Sequence, residues 1–187
     1  MAATFTKLER KLRSSIVGMG ADHTQIHEPS KWSSQQVVEH LTLTYSATCR
    51  ALEVRIAKER PTQALPTMRQ HCMRTLVVNL GCFPPGVKAP LAVSPQTGSA
   101  ALPGLELAEL FSEHLWRLDI ALKQVTMQFG GGTRSASHII LGPLSPVEWR
   151  GFHVIHGLRH IAQIEAIKRS PSYIRANRPP EDPLHRR

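Results

Sequence analysis

The chain has 187 residues, 41% of them hydrophobic, and a formal net charge of +9. That length supports one substantial core and falls short of two typical domains. No stretch approaches the roughly 20 uninterrupted apolar residues that a membrane helix needs, and the opening MAATFTKLERKLRSS lacks the apolar centre of a signal peptide, so a cytoplasmic protein with no membrane partner is expected. The three cysteines, Cys49, Cys72 and Cys82, are odd in number and lack CxxC spacing, which argues against a disulfide framework and for buried free thiols. Basic residues are scattered, with the densest groups at Lys7 to Arg13 and Arg169 to Arg187. Both groups read as solvated ends, and without a recognisable DNA or RNA module the charge does not point to nucleic acid. The expected organisation is one helical domain over 1–170 and a basic, Pro-containing tail over 171–187.

Leu8, Leu12 and Ile16 recur at helical spacing among charged residues and predict a first amphipathic helix over about residues 4 to 18. Ser33 followed three residues later by Gln36 is a capping-box signature, opening a long second helix that must end by Pro61. A shorter helix is expected over Met68 to Leu80. The Pro- and Gly-rich segment that follows, to residue 104, must be a loop. From Leu105 to Phe129 the apolar residues return to a helical period, which Gly130, Gly131 and Gly132 close. Ser145, Pro146 and Glu148 then supply a cap, a first-turn proline and a reciprocal cap for a last helix running to about Arg169. Strand signals are weak throughout. The predicted fold is all-α, an antiparallel four-helix bundle of the helices beginning near 4, 33, 105 and 146, with an extra short helix and long loops at 83–104 and 130–145 that frame a pocket or merely connect.

Three histidines lie on the core-facing stripe of the last helix, which runs Trp149, Phe152, His153, His156, His160, Gln163, Ile164 and Ile167. Burying imidazoles among Trp, Phe and Ile is costly unless hydrogen bonds or a metal occupy their nitrogens. His156 and His160, one turn apart, project from one face. His40 sits between Val37 and Leu41 on the inward stripe of the second helix and can face them. A pair from one helix and a single ligand from another is a common way for a bundle core to hold a metal, so His40, His156 and His160 are the candidate metal ligands. His153 and His114 also fall on inward stripes and stay open as further ligands, as groups orienting a ligand, or as core residues. Gln163, Glu39 and Tyr45 are further candidates for orienting the site, Glu39 being expected to face solvent, while His71 and His138 have no partner that the sequence identifies.

The stretches WSSQQVVEHL and LGPLSPVEWRGFHVIHGLRHIAQI resemble the DinB/YfiT-like superfamily of four-helix-bundle metalloenzymes. In that superfamily one ligand comes from the second helix and two from an HxxxH near the chain end, commonly followed three residues later by Gln. His40, His156, His160 and Gln163 fit that pattern. The likeness spans Trp32 to Ile167, and PPGVKAP and HIILGPLSPVEW are similar to one branch of the family. It implies a divalent-metal bundle, and through family members that use mycothiol or bacillithiol it implies a thiol-dependent transferase.

The functional expectation is therefore a metal-dependent enzyme acting on a small-molecule substrate or thiol, as transferase or hydrolase. The alternative is a bundle that binds a small ligand or a structural metal without catalysis. Three protein ligands leave a position for water or substrate, whereas a fourth would close the site. Zinc is the expected ion, with nickel and iron as alternatives, because imidazole suits all of them. Bundles of that family often pair, so the resemblance implies a homodimer, with an exposed apolar strip on a helix as its physical reason.

Overall fold

The structure, a computed structural model, describes residues 1–84 and 88–177. Among these the chain is mainly helical, with one two-stranded sheet. Helix α1 (Ala3–Ile16) buries Phe5, Leu8, Leu12 and Ile16, whose three- and four-residue spacing puts them on one face, and leaves Lys7, Arg10 and Lys11 exposed on the other. The basic cluster at the start is thus the solvated side of a core helix. A single turn, α2 (Ala21–Thr24), follows before the second long helix. Helix α3 (Ser34–Ala57) opens with the reciprocal Ser33–Gln36 cap and buries Val37, Leu41, Tyr45 and Leu52 together with His40, Thr44 and Thr48.

Thr67 and Gln70 form a second capping box at the start of α4 (Met68–Arg74), which widens into a π turn over Thr75–Asn79. Together these match the helix expected over Met68 to Leu80. Helix α5 (Gly104–Phe129) ends at Gly130, whose φ of 88° lies where an L side chain would be strained. Helix α6 (Pro146–Lys168) starts at the expected cap, with Ser145 and Glu148 bonding each other's backbone amides and Pro146 in the first turn. The Glu148 carboxylate also lies 3.6 Å from the buried Arg74 guanidinium, and Arg74 Nη1 donates to the Pro143 carbonyl at 3.3 Å. One cap therefore fastens α4 to the start of α6.

Helix α1 packs on α5 and α6, α3 packs on α5 and α6, and α5 packs on α6, so the four long helices share one core. Two glycines set how closely they approach. A Cβ at Gly104 would lie 1.7 Å from the Ile16 carbonyl oxygen, and the Gly104 amide donates to Met19 O at 2.8 Å. At Gly157 a Cβ would meet Leu8 Cδ2 at 2.8 Å, so α6 presses on α1 one residue past His156.

Three features depart from the sequence reading. The loop at 130–145 contains an antiparallel hairpin, β1 (Ala136–His138) with β2 (Gly142–Leu144), pairing Ala136 with Leu144. Strands of three residues, one holding Gly and Pro, are too short for an alternation signal. Residues Pro171–Ala176, expected as tail, form a short helix α7 with Ser170 as its cap, and Tyr173 packs on the His23 ring at 5.7 Å. The tail from 178 onward and residues 85–87 of PPGVKAP lie outside the described residues. The cysteines are free, but Cys72 and Cys82 are exposed and Cys49 is only partly buried, because Cys72 sits on the outer side of α4 and Cys82 beyond the π turn. Among the described residues no helix is long and apolar enough to cross a membrane.

Candidate metal centre

The inward stripes of α3 and α6 bring His40, His156 and His160 together, all buried, with one ligand nitrogen from each within 4.8 Å of the others. His156 Nε2 lies 3.2 Å from His40 Nε2 and 3.0 Å from His160 Nε2. This is the only such group of His, Cys, Asp or Glu among the described residues. Aromatic rings enclose it. Phe152 stacks on His156 at 5.2 Å and 11°, and Trp32 packs 4.9 Å from His40 and 6.2 Å from His160.

The outer nitrogens determine what the inner ones can do. His40 Nδ1 lies 2.7 Å from the Val93 carbonyl, which can only accept, so Nδ1 carries the proton and His40 Nε2 presents a lone pair. His160 Nδ1 donates in the same way to Gln163 Oε1 at 3.0 Å, leaving its Nε2 bare. Two lone pairs thus point at His156 Nε2, which has at most one proton to share between them. If that proton sits on Nδ1 instead, three lone pairs face one another, and His156 Nδ1 itself is buried without a partner. A cation at the point of convergence removes this conflict. Nitrogens about 2.0–2.1 Å from one tetrahedral ion stand roughly 3.3 Å apart, close to the separations found here.

Electrostatics favour the same state. Burial lowers the pKa of His40 against the opposing effect of the Val93 bond. It pushes His156 well below the usual imidazole range, with the neighbouring His160 and His40 adding to the effect. His160 is brought to about 4, first by burial and then by His40. All three are therefore neutral near pH 7, the form that ligates metal. The donor set fits a divalent ion.

The other candidates take different roles. His153 is fully buried, and its Nε2–H donates to Thr48 Oγ1 at 3.1 Å, because the Thr48 hydroxyl is already donating to the Thr44 carbonyl. His114 lies elsewhere, bonded to Ser46 at 2.9 Å in a separate cavity between α3 and α5. Tyr45 packs edge-on to His153 with its hydroxyl unpartnered. Glu39 is half-buried and accepts from Gln35 Nε2 at 3.0 Å, so it does not simply face solvent. His138, for which the sequence offered no partner, accepts from the Ile140 and Leu141 amides and packs 4.9 Å from Phe152. His71 Nδ1 lies 3.1 Å from Arg74 Nη2.

A cavity of about 790 Å³ lies against the three imidazoles. Both long loops line it, through Phe83, Lys88 and Val93 on one side and Ser137 to Leu141 on the other. The Pro-rich loop is tied down by Gln35, whose side chain donates to Ala100 O and accepts from the Leu102 amide. The roles of Val93 and Phe83 were not legible in the sequence, because a backbone carbonyl 53 residues from His40 and a loop ring packed on His156 leave no periodic signal.

Gln163→Ala removes the group that orients His160. Loss of such a partner commonly lowers metal affinity about 10- to 100-fold, and competition with a chelator of known affinity should show it here without loss of helical content. An unchanged affinity would mean that Gln163 does not position the ligand.

No protein-family model matches the chain, and neither a curated protein nor a solved structure matches it.

Proposed function

We propose that this chain is a DinB/YfiT-like four-helix bundle that holds one divalent metal ion, zinc by preference, on His40, His156 and His160, and uses it to transform a small molecule. The observation that carries this reading is the meeting of three neutral imidazoles with too few protons to satisfy one another. They meet against a cavity large enough for a substrate. When bound, such an ion supplies a Lewis acid and lowers the pKa of a thiol or water beside it.

The chain's own residues do the rest. The Val93 carbonyl and Gln163 hold the tautomers of His40 and His160 so that both Nε2 atoms face inward. Trp32, Phe83 and Phe152 exclude water from the imidazoles, which strengthens electrostatic interactions there. Three protein ligands leave room for an incoming sulfur or oxygen. The resemblance makes thiol-dependent transfer the preferred reaction, with hydrolysis second. It also implies pairing of two copies, for which Leu105 and Trp116, exposed three turns apart on α5, supply apolar surface.

A second reading, capture of a ligand without chemistry, draws on one feature. Among the described residues that line the cavity none is Asp or Glu, so none of them offers a carboxylate as general base.

Turnover separates the two. Zinc-loaded protein would be assayed with N-acetylcysteine and 1-chloro-2,4-dinitrobenzene, where a sulfur–carbon bond forms, chloride leaves and the thiol proton passes to solvent. A parallel assay would use p-nitrophenyl octanoate, with His156→Ala treated identically in both. Catalysis predicts turnover in at least one assay that is lost in the variant. Equal rates for both proteins in both assays would favour the binding reading.

A further inference from the structure

Among the described residues, those lining the cavity beside the imidazoles bring charge of one sign. Lys88 and Arg159 are cationic side chains in that lining, and no Asp or Glu is among it. Arg159 precedes His160 on α6, so its side chain leaves the helix about 100° round from the ligand face, toward the mouth. Two contacts hold it there. Its guanidinium carbon lies 5.0 Å from the centre of the Phe83 ring, and Nη1 donates to the Phe83 carbonyl at 3.4 Å. Among the described residues no carboxylate forms an ion pair with Arg159 or Lys88.

Behind these cations the walls are mainly apolar, supplied by Trp32, Met73, Val77, Ile140 and Phe152, with the hydroxyls of Thr44, Thr48 and Ser137 among them. A pocket with an apolar interior and unpaired cations selects for a matching ligand, since an ammonium group there would meet like charge and a neutral polar head would leave the cations unused. A divalent ion on three neutral imidazoles adds positive charge and sharpens the preference.

We infer that the cavity takes an amphipathic organic anion, with an apolar body lying against the aromatic walls and a carboxylate held at the mouth by Arg159 and Lys88. This rests on the reading of the cavity as the substrate site and names the substrate class for it. Arg159 and Lys88 are positioning residues for the ligand's head.

Calorimetric titration with octanoate, 1-octanol and octylamine tests it, on zinc-loaded protein and again after chelation. Octanoate should bind about tenfold or more tightly than 1-octanol, the effect of one charge-assisted hydrogen bond, and octylamine should not bind. Arg159→Gln, a change at an exposed position, should remove most of that preference while 1-octanol binding stays as in wild type. Persistence of the preference and its Arg159 dependence in protein that takes up no zinc would uphold this assignment while removing the metal reading. Equal binding of octanoate and 1-octanol to protein that does hold zinc would overturn the assignment and leave the metal reading intact. A preference seen only with zinc and unchanged by Arg159→Gln would place the anion on the ion and overturn the role given to the mouth.

Discussion

Replacing Asp119 by alanine is expected to destabilise the fold by about 3–5 kcal/mol, the range for removing one partner of a buried ion pair. Asp119 stands on α5 with 1% of its surface exposed. Its carboxylate accepts from Arg150 of α6 at 2.6 Å, lies 2.9 Å from Lys123 one turn along, and accepts from the Ala2 amide at 3.4 Å. Arg150 in turn stacks over the Phe5 ring of α1 at 4.9 Å. Burial alone would raise the Asp119 pKa, but the bonds from Arg150 and Lys123 outweigh it and hold the carboxyl below its usual range. Alanine would leave the Arg150 guanidinium without an acceptor between three helices. The urea midpoint should fall sharply for Asp119→Ala and less for Asp119→Asn, which retains an acceptor. A loss within about 1 kcal/mol, the range of an exposed pair, would show that the network adds little.

The second large effect is a loss of stability on mild acidification. Burial, and after it the neighbouring His138, push His153 down to about 3, while burial brings His138 to about 4. An unfolded histidine titrates near 6.5. Because both folded values are lowered, the unfolded chain takes up the protons first as pH falls. The stability these groups contribute is complete above about pH 6.5 and declines below it, until the folded values near 4 and 3 are reached. Each group loses about 1.4 kcal/mol per pH unit, so going from pH 7.5 to 5.0 costs roughly 2 kcal/mol per histidine. The three site histidines act in the same direction when no metal holds them. Urea unfolding of metal-free protein at the two pH values measures the sum, and His153→Asn isolates one share by flattening the dependence. Equal stability at both pH values would contradict the burial of these rings in neutral form.

What could be read from the chain was what local physics encodes. The start of α6 was legible because Ser145, Pro146 and Glu148 each carry a mechanism for beginning a helix, and all three act as expected. The inward direction of His40 followed from the stripe through Val37, Leu41 and Thr44, which the structure buries. The π turn after α4, by contrast, keeps helical spacing closely enough to pass for plain helix. Val93, Phe83 and Arg150 matter through contacts between segments far apart in sequence, and nothing in their own neighbourhoods marks them. Asp119 was invisible for the same reason, since a carboxylate beside Leu118 reads as surface until Arg150 is brought to it. The exposure of Cys72 and Cys82 shows the limit of residue-type tendencies, because their segment packs by other residues, Val77 above all.

Elemental analysis of untagged protein, with His40→Ala and His156→Ala prepared in the same way, asks whether His40, His156 and His160 act together as one metal site. A shared site gives one divalent ion per chain in the wild type and none in either variant. Wild-type protein that takes up no ion even after incubation with zinc or nickel would contradict it, and would leave the three imidazoles as a buried cluster with no metal to hold.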